Sequence, residues 1–518
     1  MKCRMNTVPG FIIKSISYLP LRDFFYGKKV YLSAIWILLL STNILAQKDS
    51  IAVQNQEWQT FESYKDVGYH QTLRPQFHFS SLKNWINDPN GMVYYDGEYH
   101  LYFQHNPVGI KWGNMTWGHA VSADMVHWKQ LPHAILPYGK SAIFSGSAVV
   151  DEQNMLGKQV GKTKTIVAIY TAWGNGQAGA YSTDKGRSFQ LLNNGGPIVK
   201  ATGINKGERD PSIFWHEASK KWIMVLWIKR AANEGSAADK MGKVRIFTSP
   251  NLTDWTMASD FDREWVYECV NLIELPVDGN KKNKKWVVFD AGFHYEIGDF
   301  DGKALTTDSI ALQGDFGKNY YAAQTFNNSP DGRKVLIGWM SGSNGANEKE
   351  GMPFSGQFSF PSKLDLRNTK AGIRLFRWPI KEIESLYTHS YQFKNLHLDK
   401  VSEKLAQIKA ELIDFSIEFE PIDSLKLTLR GLDISYNKSI ASFAYGKFMI
   451  PAPIREDGKV ILRVLIDRSS IELFANEGAS VASFFAVPKA DELGVAISGN
   501  GDTKITSLVV HELKSVWK

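Results

Sequence analysis

The chain has 518 residues, 13% of them aromatic, and a formal net charge of +7. That length exceeds one ordinary core, so two domains are the default, although a propeller or barrel can use more than roughly 250 residues as a single unit. Residues 1–46 hold six Lys or Arg against one acid, which leaves the rest of the chain at +2 and without the basic stripe that a nucleic-acid partner requires.

From Tyr31 to Leu45 runs an uncharged apolar segment, preceded by Lys28-Lys29 and followed by Ala46. Residues 1–46 therefore read as a secretory signal, with an uncleaved anchor as the alternative; the segment is short for a membrane span. The expectation is an exported protein (periplasm, cell surface or medium) with no span in its mature form, as monomer or homodimer. The two cysteines are Cys3 and Cys269. Loss of Cys3 with the signal would leave no internal disulfide, so stability would rest on core burial. Residues 47–70 form a lead-in.

Past residue 80, β-type runs alternate with turn dipeptides, as in Met92-Val93-Tyr94-Tyr95, Asp96-Gly97, then Tyr99 to Phe103. Helical periodicity is nearly absent before residue 375, so the fold is mostly β. Trp85-Ile86-Asn87-Asp88-Pro89-Asn90-Gly91 holds an acid in a tight turn between aromatic runs. Taken alone, Asp-Pro-Asn-Gly is ordinary turn chemistry. Two further acidic motifs, Arg209-Asp210-Pro211 and Glu268-Cys269, follow at related spacings.

A weak repeat of polar turns capped by an aromatic occurs at Ser122 to Trp128, Ser182 to Phe189 and Thr248 to Trp255. A second repeat, a polar start followed by two strands, begins at Asp88, Ser145, Asp210, Glu268 and Gln324. The recurring distance of nearly sixty residues suits one four-stranded blade, and five make a propeller over residues 71–375. Distant polar starts then converge on one central channel. The alternative is a sandwich whose strands fall at chance spacings.

Arg377-Trp378-Pro379 and the helix-compatible run after it suggest a linker at 376–387. Beyond it, alternating strands such as Leu425 to Leu429 and Val460 to Ile466 indicate a β-sandwich over 388–518, most simply a cover for an apolar flank of the propeller.

Hydrolysing a glycosidic bond with retention needs two carboxyl groups about 5–5.5 Å apart, one a nucleophile and one an acid that becomes the base. Asp88 and Glu268 are the candidates. A nearby carboxylate and partial burial would keep Glu268 protonated. Arg209 beside Asp210 should keep that acid ionised, which suits sugar hydroxyls and oxocarbenium charge, although Arg-Asp pairs at strand starts are commonly simple salt bridges. Cys269 reads as buried packing. No cluster of ligands has zinc or EF-hand spacing.

Trp85 to Gly91, Gln104, Trp112, Phe144-Ser145-Gly146-Ser147, Arg209-Asp210-Pro211, Glu268-Cys269 and Gly338-Trp339-Met340 together resemble glycoside hydrolase family 32, the invertases, inulinases and levanases. Asp467 to Phe474 is similar to that family's C-terminal sandwich, so the resemblance covers roughly residues 70–515. It implies an all-β fold, a five-bladed β-propeller followed by a β-sandwich, and a retaining attack on a terminal fructosyl unit. Asp88 would be the nucleophile, Glu268 the acid/base and Asp210 the transition-state stabiliser. Asn87, Gln104, Trp112, Phe144, Ser145, Arg209 and Trp339 match positions that shape the fructose pocket. No metal or cofactor is implied.

Three departures stand out. Val270-Asn271 replaces the usual Pro-Asp after Glu-Cys, Pro361-Ser362-Lys363 replaces a Pro-Arg pair, and Ser341-Gly342-Ser343-Asn344-Gly345 replaces a more aromatic stretch. They are expected on the leaving-group side, where they bear on substrate choice. The resulting expectation is an exported exo-β-fructosidase acting on levan, inulin or sucrose. The alternatives are a fructosyltransferase using the same acids, an inverting arabinan-type glycosidase with carboxyl groups about 6.5–9.5 Å apart, and a non-catalytic fructan-binding protein.

Overall fold

The computed structural model describes residues 61–139, 141–201, 207–229, 242–308, 310–421, 423–499 and 502–517. The expected signal at 1–46 lies outside the described residues, as does the lead-in before Phe61. The first four-stranded antiparallel unit is Asn84–Tyr95, Glu98–Asn106, Thr116–Ser122 and Lys129–Ile135. The next units open with Ile143–Asp151, Glu208–His216, Asn271–Val277 and Tyr321–Thr325 as their inner strands. These five are the propeller blades. Phe354–Ser355, arriving from the fifth blade, pairs in parallel with Asn84 and Trp85 and closes the ring.

The turns follow from local chemistry. Asp96 and Gly97, with φ of 48° and 87°, join Tyr95 to Glu98, and Asp278-Gly279 joins Val277 to Asn280 in the same left-handed pair. Two positive φ angles match the right-handed twist of the flanking strands. The weak polar repeat is one device used three times after a blade's third strand. Ser122 Oγ accepts from Met125 N at 2.8 Å, Ser182 Oγ from Gly186 N at 2.8 Å and Ser249 Oγ from Leu252 N at 2.9 Å. In the first and third copies the following indole, Trp128 or Trp255, donates to the carbonyl of Met125 or Leu252.

Neighbouring residues on one strand pack in opposite directions, as the two-residue period of a strand requires. Val150 and Ile166 join Val93, Tyr102 and Trp117 between the first and second blades. Val149 and Val167 turn the other way onto Ile213, Met224 and Leu226 of the third. Val225 and Trp227 then meet Leu272 and Val288. Ile273 and Val287 meet Leu336, Leu364 and Leu366. Phe326, Val335 and Ile337 return to Ile86, Leu101 and Phe103 of the first blade. Each blade is thus apolar on both faces, which explains the uninterrupted burial of Thr165–Ala172.

The linker expected at 376–387 differs from what is observed. Gly372–Pro379 is the outermost strand of the fifth blade, paired from Thr369↔Gly372 to Ser362↔Pro379. Proline is tolerated there because it ends an edge strand and owes the ladder no donor. A 3-10 turn, Lys381–Leu386, buries Ile383 and Leu386 and delivers the chain into Tyr387–His397. Two sheets follow, one of six strands and one of five, around a core that includes Phe415, Ile417, Phe419, Leu427 and Tyr436. Leu465, Phe474 and Val481 of the sandwich share a cluster with Phe358 and Phe360 of the propeller.

Candidate active site

Four of the five inner strands bulge at the same level. Asn87 and Asp88 stand opposite Gln104 alone, Phe144 and Ser145 opposite Thr171, Asp210 and Pro211 opposite Leu226, and Ala322 and Ala323 opposite Gly338. An extra residue bends a strand and re-aims its side chains. Here it turns the polar starts into the end of the channel. Gly146 permits one of these close approaches, since a Cβ there would lie 2.1 Å from the Ile169 carbonyl oxygen. In the fourth blade the same level is reached just before the strand, where Glu268 and Cys269 have φ of 37° and 46°. Asp210 has φ of 65°. Left-handed backbone at non-glycine residues is costly and concentrates at functional sites.

All ten site residues expected from the sequence line one cavity of about 620 Å³: Asp88, Asp210, Glu268, Asn87, Gln104, Trp112, Phe144, Ser145, Arg209 and Trp339. Asp88 is fixed through both oxygens. Trp85 Nε1 donates to Asn87 Oδ1 at 2.7 Å, and Asn87 Nδ2 donates to Asp88 Oδ1 at 3.0 Å. Ser145 Oγ donates to Asp88 Oδ2 at 2.6 Å. Burial raises the Asp88 carboxyl above its ordinary value; the Ser145 bond opposes this, and the Glu268 charge adds to it.

Cys269 lies between two acids. Its thiol is 3.7 Å from Asp88 Oδ2 and 3.6 Å from Asp210 Oδ2, and its backbone N–H donates to Asp210 Oδ2 at 3.2 Å. It is buried, as expected, yet its contacts are with carboxylates as well as with Ala291 and Ala322.

Arg209 corrects a second expectation. Its guanidinium is 3.7 Å from Asp210 but donates to Glu268 Oε2 from Nε at 2.8 Å and from Nη2 at 2.5 Å. The arginine is held over the Trp227 ring at 4.3 Å, which points it across the blade boundary. The neighbouring Arg209 does not hold Asp210 in the ordinary carboxylate range. Burial pushes Asp210 up to about 7, Arg209 pulls against this, and Glu268 and Asp88 add to the rise.

Asn271 anchors the Glu268 turn. Its Nδ2 donates to the carbonyls of Cys269 and Ala323 at 3.0 and 3.1 Å. An ionised Asp could donate neither bond. The other two departures lie away from the cavity. Lys363 pairs with Asp365 at 2.9 Å, and residues 341–345 are absent from the lining.

Sequence reasoning missed Tyr321 and Trp173. Tyr321 Oη donates to Glu268 Oε1 at 2.5 Å, and both residues line the cavity. Gln324, the fifth polar start of the repeat, is not in the cavity lining, and its Nε2 donates to the Gly146 carbonyl at 2.8 Å. The signal that could have found Tyr321 is the bulge level, three residues earlier. Asn114, Met115 and Ala142 complete the lining.

Comparison with known proteins gives the same picture on a larger scale. The family model described as glycosyl hydrolases family 32 N-terminal domain matches residues 78–379, and that described as glycosyl hydrolases family 32 C terminal matches residues 382–512. A levanase of Bacillus subtilis (strain 168) is 38% identical, over 87% of this chain and 72% of that protein. The extracellular exo-inulinase inuE of Aspergillus niger is 30% identical, over 87% of this chain and 96% of that protein. The crystal structure of an exo-inulinase from Aspergillus awamori has a TM-score of 0.75 at 27% identity, covering 87% of this chain and 100% of that one.

Proposed function

The chain belongs to glycosyl hydrolase family 32, and from that membership we propose that it is a retaining exo-β-fructosidase that releases terminal fructose from levan, inulin or sucrose. The observation that carries the reading is the convergence of Asp88, Asp210 and Glu268 from three blades on one cavity. The levanase and exo-inulinase relatives support the substrate class.

In this reading a carboxylate oxygen of Asp88 attacks the anomeric carbon of the fructosyl unit while Glu268 gives its proton to the glycosidic oxygen. The carbon–oxygen bond breaks, the alcohol leaves, and the fructosyl group remains as an ester on Asp88. Water, losing a proton to Glu268, then attacks the same carbon and displaces the Asp88 carboxylate. Asp210 binds sugar hydroxyls and stabilises the oxocarbenium charge. Arg209 and Tyr321 orient Glu268, one on each carboxyl oxygen. Ser145 and Asn87 do the same for Asp88.

Export is part of the proposal. It rests on the charge and apolar pattern of residues 1–46 and on relatives named as extracellular. No helix among the described residues is long and apolar enough to cross a membrane.

Product chromatography after separate incubation with sucrose, inulin and levan tests the reading. Free fructose as the sole early product from one of them is expected. Absence of product from all three would refute it, and accumulating oligofructosides would point to transfer.

A further inference from the structure

Farther along each inner strand, the residues that follow the acids and their neighbours line a second cavity, of about 580 Å³: Ser147 after Ser145, Ser212 after Asp210, Asn271 after Glu268 and Gln324 after Tyr321. It lies beyond the acids along the channel, among the third, fourth and fifth blades. A smaller cavity of about 240 Å³ adjoins it and shares Phe214, Trp215, Asn327 and Lys334 with it. No residue that lines the acid-bearing cavity lines either of these.

The acids around this space already have partners. Glu274 accepts from Lys284 Nζ at 2.7 Å, Glu217 from Trp215 Nε1 at 2.7 Å and from Lys220, and Asp331 pairs with Arg333 at 2.8 Å. Glu152, exposed at the smaller cavity, accepts from Asn328 Nδ2 at 3.2 Å. Two donors are not matched. Lys334 stands on the wall common to both cavities, and its Nζ has no hydrogen-bond or ion-pair partner among the described residues. Burial lowers its pKa, and the charge of Glu274 opposes this. Its own carbonyl accepts from Leu364 N at 2.9 Å, which fixes the residue at the head of the strand Val335–Trp339. Trp222 lines the smaller cavity at 4% exposure, and its Nε1 is buried without an acceptor.

An ammonium drawn out of water without a counter-charge is costly, and a buried N–H without an acceptor adds to the cost. A ligand that brings acceptor oxygens relieves both, and one that also brings negative charge relieves the first far better. Lys281 adds a further cation at the mouth. The space exceeds what a bare phosphate fills, and the rings of Phe214 and Trp286, with centroids 5.3 Å apart, offer apolar faces to an organic body.

We propose that this second cavity binds a small organic phosphate, its oxyanion held by Lys334 and Trp222 Nε1 with Lys281 at the mouth, and that the bound anion ties the third, fourth and fifth blades together. The site is separate from the acids, so it stands whether or not the fructosidase reading does.

Titration calorimetry and thermal melts of the full chain, at ionic strength matched with chloride, provide the test, with inorganic phosphate, glucose 6-phosphate and neutral glucose as probes. Glucose 6-phosphate should bind wild type with a Kd below about 1 mM and raise Tm by about 2 °C at about 10 mM. Inorganic phosphate should bind about tenfold more weakly, and glucose should give no effect that depends on Lys334. Lys334→Met should weaken glucose 6-phosphate at least about tenfold and abolish the Tm rise, while Lys334→Arg should keep most of it. Lys281→Ala, on an exposed hairpin, should weaken binding about threefold and serves as the readout should Lys334→Met fold poorly. No binding of either phosphate to wild type, or equal binding by wild type and both Lys334→Met and Lys281→Ala, would overturn the proposal. Glucose binding as tightly as its phosphate, with the same dependence on Lys334, would overturn it in favour of a neutral sugar site.

Discussion

His78 of the propeller is held between two carboxylates of the sandwich, with Nδ1 2.9 Å from Asp467 Oδ2 and Nε2 2.8 Å from Glu472 Oε2. Both ring nitrogens face acceptors, the arrangement an imidazolium satisfies. Burial alone would lower the His78 pKa, but hydrogen bonds to Asp467 and Glu472 outweigh it and raise the value to about 9. A raised folded value means that this stabilisation is complete below the unfolded value of about 6.5 and is lost as pH rises through 9. Thermal melts should therefore show Tm falling between about pH 7 and 9.5. His78→Gln, which leaves buried acids without their cation, should cost about 3–5 kcal/mol and flatten that dependence. A variant melting like wild type at about pH 7 would contradict this role.

Asp88→Asn and Glu268→Gln should each lower kcat by at least about 10³-fold, since each removes a covalent or proton-transfer role. Circular dichroism should be unchanged. Near-normal turnover in either variant would remove that residue from its assigned role.

Arg209→Gln should move the acid limb of kcat/KM. The arginine lowers the pKa of Asp210 against the rise caused by burial. Removing it raises that value further, so if Asp210 acts ionised, activity rises only at higher pH. A profile recorded from about pH 4 to 8 should show the limb displaced upward, with reduced kcat/KM at the optimum. A downward shift would mean that another group governs the limb.

Deleting residues 388–518 should give insoluble protein. It would uncover Phe358 and Phe360, strip His78 of both partners and remove Ser483, which holds Arg377 at 3.0 Å. A soluble, active propeller would contradict the role of the sandwich as cover for the propeller's apolar flank.

The acids were legible through the recurring spacing of polar starts, which placed Asp88, Asp210 and Glu268 at the same end of the ring. The tight turn expected at Asp-Pro-Asn-Gly does not form: these residues lie within the inner strand Asn84–Tyr95, where bulges in its pairing with Glu98–Asn106 accommodate the same turn-forming residue types. The partner of Arg209 was not legible. It depends on the left-handed backbone at Glu268 and on the Trp227 ring beneath the guanidinium, neither of which a local pattern signals. Tyr321 and Trp173 look like ordinary strand and turn aromatics until the bulge level and their exposure are known. Pro379 misled in the opposite way, since proline suggests a linker but is equally at home at the end of an edge strand. The Asp467 to Phe474 motif carried no chemistry to read, because its partners, Gln76 to His78 and Phe360, lie more than a hundred residues away.

The most direct test of the central claim, a double displacement with Asp88 as nucleophile and Glu268 as acid/base, is the anomeric configuration of the product formed when methanol competes with water. Nuclear magnetic resonance of the methyl fructoside made from the preferred substrate should show the β anomer, because two displacements at the same carbon restore the starting configuration. The α anomer, formed at a rate comparable with fructose release, would mean a single inverting displacement and would contradict the assignment of Asp88.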